Sequence, residues 1–276
     1  MDLWQAVVLG IVEGLTELLP VSSTGHLTLA EGLLGLQIDD PGITAFTAFI
    51  QIGAIAAVLV YFARDIYEIV VAFFKGLFSR ENRGDPNYKL GWYVIIGSIP
   101  IVIVGFLGKD YVSGPLRSLW FVAAGMIGWS FVLWFAEYAA THQRNLRQLT
   151  IGDAIFVGVV QCVSLIPGVS RSGATTSAGL LRDMDRVTAT KLSFYLGIPA
   201  LTGAGVLELE EAISGPSVGV PALAVGTIVS GVVAYATVSW LLRFISNHSF
   251  MLFVWYRIGF GVVVIALLLM GVVEPL

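Results

Sequence analysis

Glu13-Gly14-Leu15-Thr16-Glu17-Leu18-Leu19-Pro20-Val21-Ser22-Ser23-Thr24-Gly25-His26 interrupts an apolar run with carboxylates, hydroxyls and an imidazole. A second apolar run, residues 151–182, is broken in the same way by Pro167-Gly168-Val169-Ser170-Arg171-Ser172-Gly173. Each apolar half is shorter than the about 20 residues that a helix needs to cross the hydrocarbon core of a bilayer. We therefore predict two re-entrant helical hairpins, residues 3–36 and 151–182, which enter a membrane and return to the same side.

The composition of the whole chain indicates a membrane environment. Of the 276 residues, 57% are hydrophobic and 12% are charged, and the mean hydropathy is +0.86. A soluble core of this size could not bury so much apolar surface. The long apolar runs lack the period-two alternation of barrel strands, which favours helices. We predict an all-α integral membrane protein with six transmembrane helices, at residues 43–62, 90–107, 116–135, 190–207, 220–244 and 252–273.

The distribution of positive charge predicts the orientation, because short cytoplasmic loops are richer in Lys and Arg than exported ones. With both termini outside, most positive residues fall on the cytoplasmic side, and only Lys109 and Arg117 fall outside. The cytoplasmic set is Arg64, Lys75, Arg80, Arg83, Lys89, Arg144, Arg147, Arg182, Arg186, Lys191 and Arg243. The net charge of −4 and the absence of a basic stripe give no indication of nucleic-acid binding.

The two broken regions resemble each other and predict an internal repeat. Gly10-Ile11-Val12-Glu13 matches Gly158-Val159-Val160-Gln161, and residues 21–25 match residues 169–173 at the same offset of 148. We expect one membrane domain, 1–276, with repeat one at about 1–140 and repeat two at about 150–276. An odd number of spans in each repeat would invert the second copy, so that the hairpin tips meet near the midplane.

Two carboxylates precede the first break. Glu13 and Glu17 are four residues apart and share one helix face. Such a pair in apolar surroundings suits a hard cation such as Mg²⁺ or Ca²⁺, or general acid–base chemistry. The alternative is that both carboxylates only satisfy polar backbone groups of the hairpin.

Hydroxyl-rich helix starts follow both breaks. Residues 22–25 open the second helix of the first hairpin, where free amide groups and the helix dipole favour an anion. The alternative is a simple serine or threonine N-cap. Arg171, at the equivalent start in the second hairpin, has a planar guanidinium that matches phosphate oxygens. His26 is a candidate nucleophile, or a base that activates Ser23 or a water.

Two further polar residues lie inside predicted spans. A charged Arg257 side chain in lipid costs free energy unless it is paired, so it is either a second phosphate ligand or half of a buried ion pair. Gln51 is a weaker candidate ligand, because a single amide can simply bridge two helices.

The stretch Glu13 to His26 resembles the first signature of the undecaprenyl-diphosphate phosphatase family, the bacitracin-resistance type. Residues 167–175 are similar to its second signature, with Val169 where an aromatic residue is common. The resemblance implies a hydrolase that converts the C55 isoprenoid diphosphate to the monophosphate and recycles a lipid carrier for the cell envelope. It also implies a divalent cation on Glu13 and Glu17, and a site on the outer face of the plasma membrane.

The resemblance carries over roles by position. It implies a catalytic set of Glu13, Glu17, Ser23, His26 and Arg171. The residues that would cradle the diphosphate are Ser22, Thr24, Gly25, Ser170, Ser172, Gly173 and Thr175.

A transporter or flippase of polyprenyl phosphate is the alternative function, because inverted repeats with broken helices also build transporter sites. A structural subunit would leave Glu13, Glu17, His26 and Arg171 as unexplained polar residues in lipid. The identity of the nucleophile and a homodimeric assembly stay open.

Overall fold

A computed structural model describes residues 1–108, 118–214 and 217–275, and in these ranges the chain is helical without a strand. Lys109, Arg117 and the start of the predicted span 116–135 fall outside the described residues. The α-helices are α1 Leu3–Thr16, α2 Ser23–Leu33, α3 Pro41–Tyr61, α4 Ala63–Phe78, α5 Pro86–Leu107, α6 Leu119–Ala139, α7 Ile151–Gln161, α8 Arg171–Leu180, α9 Arg186–Leu207, α10 Leu209–Ser214, α11 Val220–Ile245 and α12 Met251–Leu269.

Among the described residues, five helices are long and apolar enough to cross a membrane. They are α3, α5, α6, α11 and α12, with mean hydropathies of 1.7 to 2.3 over their most apolar windows. Helix α9, which contains the predicted span 190–207, is 22 residues long but is not one of these five. It carries Lys191 and Ser193, and from Thr188 to Gly197 every residue except Lys191 is buried. The chain is thus an all-helical membrane protein, and a sixth crossing stays a prediction.

Helix α4 is not among the predicted spans. It begins one residue after α3 ends and buries Ala72 and Gly76, whereas Tyr67 and Phe78 are exposed. Its 16 residues are too few for a span, and its apolar face and charged residues are typical of a helix at an interface.

Both predicted breaks are present as interruptions between short helices. Helix α1 ends at Thr16 and α2 begins at Ser23; α7 ends at Gln161, a 3-10 turn follows, and α8 begins at Arg171. Helix α1 has 14 residues, so at about 1.5 Å per residue it is roughly 21 Å long. The other three are shorter, and none alone could cross a core about 30 Å thick.

The two interruptions end in the same backbone geometry. Ser22 (φ 72°, ψ 94°) and Ser170 (φ 75°, ψ 123°) are the N-caps of α2 and α8, in a region that non-glycine residues seldom occupy. Each serine Oγ accepts a hydrogen bond from the amide three residues later, that of Gly25 at 3.4 Å and that of Gly173 at 3.1 Å. The similarity seen between the sequences is therefore also a similarity of local structure.

Glycines allow each hairpin to pack closely on a helix of the other half. A Cβ atom at Gly10 on α1 would lie 2.7 Å from the carbonyl oxygen of Gly226 on α11. A Cβ atom at Gly158 on α7 would lie 2.3 Å from the carbonyl oxygen of Gly97 on α5. These close approaches place α1 directly against α11 and α7 directly against α5.

Candidate active site

The ends of the two interruptions meet through an ion pair. Glu17 follows α1 and Arg171 opens α8, and Arg171 Nη2 lies 3.3 Å from Glu17 Oε1. Both side chains are buried, with 6% and 8% of their surfaces exposed. Ser172 Oγ also donates to the carbonyl of Leu19 at 2.7 Å. The structure therefore brings together residues that are 154 positions apart.

Ser23 lies on the other oxygen of the same carboxylate. Its Oγ donates to Glu17 Oε2 at 2.5 Å, and its side chain is half-buried. A carboxylate that accepts from a serine hydroxyl can take its proton when that oxygen attacks an electrophile. Glu17 thus links a candidate nucleophile to a guanidinium that matches phosphate oxygens.

Helix α9 holds the guanidinium of Arg171 from the opposite side. Arg171 Nη1 donates to the carbonyl of Ser193 at 2.8 Å, and Ser193 Oγ accepts from Thr175 Oγ1 at 2.7 Å. A Cβ atom at Gly197 would lie 2.6 Å from Arg171 Nη1, so only glycine leaves room for the guanidinium. Ser193 and Gly197 were not among the predicted site residues, although small and polar residues inside an apolar segment were a usable signal.

Glu13 is completely buried one helical turn before Glu17. Neither of its carboxylate oxygens has a hydrogen-bond partner in the part of the chain that the structure describes. A buried carboxylate without a partner is costly unless a cation or a proton neutralises it. Within the described ranges no cluster of three or more His, Cys, Asp or Glu side chains could hold a metal ion, so further ligands would come from hydroxyls or from a bound diphosphate.

His26 makes a separate group of contacts beside this centre. Its Nδ1 is 2.7 Å from the carbonyl oxygen of Ser22, and its Nε2 is 2.7 Å from the hydroxyl of Tyr256. The ring stacks on Phe260, with 4.0 Å between the ring centroids. Tyr256 and Phe260 were not predicted as site residues, because their contact with α2 depends on how α12 packs.

Arg257 connects both interruptions from α12. It is fully buried, and its Nη1 donates to the carbonyl of Pro20 at 3.0 Å, while its Nη2 donates to the carbonyl of Gly168 at 2.9 Å. Further donations go to the carbonyl of Met126 at 3.2 Å and to Ser130 Oγ at 3.1 Å. Carbonyl and hydroxyl oxygens accept these bonds, and no carboxylate pairs with Arg257 among the residues that the structure describes, so the buried ion pair considered from the sequence is not seen there.

The remaining candidates are placed as follows. Thr24 is exposed at the start of α2, and Gln51 on α3 makes no hydrogen bond to the other candidates among the described residues. The hydroxyls of Ser22 and Ser170 cap their helices, as the simple N-cap alternative requires. Roles in binding a diphosphate stay predictions for Thr24, Gln51, Ser22 and Ser170, as they do for Gly25, Ser172, Gly173, Thr175 and Arg257.

Comparison with known proteins shows the family to which the chain belongs. Residues 6–263 match the family model "Bacitracin resistance protein BacA". The chain belongs to the BacA family. The family resemblance read from the two motifs is thereby confirmed, and the BacA match covers both hairpins and the five long apolar helices, apart from the first three residues of α1 and the end of α12.

Relatives of this BacA-family chain share its full length. "Undecaprenyl-diphosphatase" from Acidothermus cellulolyticus is 52% identical over 98% of both chains. "Undecaprenyl-diphosphatase 1" from Streptomyces avermitilis is 55% identical over 99% of both chains. "Undecaprenyl-diphosphatase" from Mycolicibacterium gilvum is 50% identical over 100% of both chains.

Proposed function

We propose that this BacA-family protein is an undecaprenyl-diphosphatase, which hydrolyses the lipid diphosphate to the monophosphate and inorganic phosphate. The names of full-length relatives at 50–55% identity support the activity. The observation that carries the mechanism is the position of Glu17, whose two oxygens lie 2.5 Å from Ser23 Oγ and 3.3 Å from Arg171 Nη2. One carboxylate thus joins a nucleophile and an anion-binding side chain from different hairpins.

The first step that this geometry supports is attack by Ser23. Its Oγ forms a bond to the terminal phosphorus while its proton passes to Glu17 Oε2. The bond between that phosphorus and the bridging oxygen breaks, and the lipid monophosphate leaves as an anion with the electron pair. The guanidinium of Arg171 stabilises the charge that develops on the phosphoryl oxygens.

The second step releases phosphate from Ser23. A water oxygen forms a bond to phosphorus, and the proton of that water goes to His26 Nε2. The bond between phosphorus and Ser23 Oγ breaks, and Ser23 recovers its proton from Glu17. His26 then returns its proton to solvent, so that one water is consumed for each phosphate released.

One carboxylate of the site is suited to bind a divalent cation. Glu13 offers two buried oxygens without partners, whereas both Glu17 oxygens are already engaged by Ser23 and Arg171. We therefore assign the cation chiefly to Glu13 and to oxygens of the substrate, with Glu17 at the edge of the site. When bound, the cation supplies positive charge that neutralises Glu13 and the diphosphate.

The proposed topology has six spans and two re-entrant hairpins in inverted repeats. The short hairpin helices, the matched N-caps Ser22 and Ser170 and the contact between Glu17 and Arg171 support it. The positive-inside rule supports termini on the outside of the plasma membrane, with the active site facing outside as family resemblance implies. A homodimer stays a prediction.

Phosphate release from undecaprenyl diphosphate in detergent, without any membrane gradient, tests the proposal. We expect turnover by the wild type, and a loss of at least about 10²-fold in Glu17→Gln and Arg171→Ala, since each removes a contact to the transition state. Near-normal turnover by both variants would remove the proposed roles. Lipid movement between leaflets without hydrolysis would support the transporter alternative, to which the names of the relatives give no support.

A matched control is available in a second buried ion pair. Glu137 accepts from Arg186, and its side chain is 6% exposed, the same fraction as that of Glu17. Glu137→Gln therefore removes a comparable buried charge outside the site. We expect it to lower stability but to keep turnover of the folded protein within about threefold of the wild type.

A further inference from the structure

The imidazole of His26 is fixed at three points. Nδ1 lies 2.7 Å from the Ser22 carbonyl oxygen, Nε2 lies 2.7 Å from Tyr256 Oη, and one ring face stacks on Phe260. The Tyr256 ring lies parallel to the imidazole, with an interplanar angle of 3°. A ring held in this way cannot turn to present either nitrogen freely.

These contacts decide which nitrogen carries the proton. A carbonyl oxygen can only accept, so Nδ1 must carry a hydrogen in order to donate to Ser22. In the neutral ring Nε2 is then an acceptor, and it accepts the hydrogen of the Tyr256 hydroxyl. The basic nitrogen of His26 is thus directly covered by a tyrosine hydroxyl.

Tyr256 is more accessible than the charged residues of the site. It is 46% exposed, and Thr24 at the start of α2 is exposed as well, whereas Glu13, Glu17 and Arg171 are buried. The next residue of α12, Arg257, donates to the Pro20 and Gly168 carbonyls, and this anchors the helix turn that carries Tyr256. The hydroxyl is therefore held on His26 Nε2, and the residue that carries it is partly exposed.

We infer that Tyr256 relays the proton of the attacking water to His26, an inference that rests on the proposed function. As the water oxygen bonds to phosphorus, its proton passes to Tyr256 Oη, and the hydrogen of Tyr256 passes to His26 Nε2. The bond from phosphorus to Ser23 Oγ breaks, and Glu17 returns a proton to Ser23. Afterwards the imidazolium gives its proton back through the same hydroxyl to solvent.

The competing role for Tyr256 is that of a cover that must move away before His26 can act. The two roles give opposite results in Tyr256→Phe, which keeps the ring against His26 and Phe260 but removes the hydroxyl. A relay loses turnover, because general-base assistance contributes about 10²–10⁴-fold. A cover that no longer hydrogen-bonds to Nε2 leaves turnover unchanged or increased.

Steady-state phosphate release by purified full-length protein on undecaprenyl diphosphate tests the inference. We expect Tyr256→Phe to lower kcat by about 10²-fold with KM within about twofold, and to cost nothing further in a His26→Ala background. Tyr235→Phe is the matched control, because Tyr235 is also 46% exposed on a long apolar helix and its ring makes an edge contact with Tyr61 rather than with the site. Its turnover should equal that of the wild type.

The outcomes separate the inference from the function on which it rests. A wild type that releases no phosphate refutes the proposed function itself. An active wild type with an equally active Tyr256→Phe variant refutes the relay. The relay is also refuted if the fold-loss of kcat in the double variant is the product of the losses in Tyr256→Phe and His26→Ala. Where His26→Ala is too slow to measure, the ¹⁵N resonance of His26 Nε2 is compared between wild type and Tyr256→Phe. A lower kcat with a shifted resonance supports the relay, and an unshifted resonance refutes it, because the relay requires that hydrogen bond.

Discussion

Replacing Arg257 by Met distinguishes a structural clamp from a phosphate ligand. In the structure, this guanidinium donates to the carbonyls of Pro20 and Gly168, one from each interruption. The variant fills a similar volume but leaves both carbonyls buried without donors. An unsatisfied buried group costs about 1–3 kcal/mol, so the pair costs roughly 2–6 kcal/mol. At about 2–4 °C per kcal/mol, we expect an unfolding temperature lower by roughly 4–24 °C.

The same change also weakens catalysis, because the two carbonyls that lose their donor belong to the loops that lead into Ser23 and Arg171. Thermal unfolding in detergent and the kinetics of phosphate release measure the two effects together. Arg257→Lys should behave almost as poorly as Arg257→Met, since one ammonium lacks the fork that reaches both loops. A variant that unfolds at the wild-type temperature while its KM rises tenfold or more would refute the clamp and indicate a phosphate ligand.

Two further predictions concern the carboxylates Glu13 and Asp153. Glu13→Gln should raise the Mg²⁺ concentration for half-maximal phosphate release by at least about tenfold, because an amide does not neutralise a cation; an unchanged Mg²⁺ titration would exclude Glu13 as a ligand. Asp153→Asn at the base of the second hairpin should destabilise the fold by about 3–5 kcal/mol at pH 7, because Asp153 pairs with Arg144 at 2.5 Å and Arg182 at 2.7 Å. Burial alone would raise the pKa of Asp153, but hydrogen bonds from Arg144, Arg182 and Thr150 hold that pKa well below its usual range. This stabilisation exists above the unfolded-state pKa of about 3.9 and is lost as pH falls through the folded-state pKa. The difference in unfolding temperature between wild type and variant should therefore shrink below about pH 4. A difference that stays constant with pH would contradict this prediction.

The local features of the hairpins were predictable from sequence. A proline followed by serines and glycine within an apolar run marks the end of one helix and the N-cap of the next, and both Ser22 and Ser170 occupy that position. The repeated motif also identified Glu17 and Arg171, which the structure brings together. These signals lie within a few residues of one another, so no knowledge of packing is needed to read them.

Contacts that depend on how distant helices pack were not predictable. Tyr256, Ser193 and Gly197 reach the site because α12 and α9 lie against the hairpins. The small and polar residues of α9 indicate a close helix contact, but they do not say which helix is the partner. Helix α4 was missed for another reason, since a test for about 20 apolar residues excludes a 16-residue amphipathic helix. Its helical spacing of apolar residues was a signal that could have found it.

An experimental structure with a non-hydrolysable methylene-diphosphonate analogue of the lipid tests the account most directly. We predict that the terminal phosphonate lies within hydrogen-bond distance of both Ser23 Oγ and the Arg171 guanidinium, with the isoprenoid chain extending toward lipid. A diphosphonate that contacts only one hairpin, or that binds away from Glu17, would contradict the claim that the two interruptions form a single site.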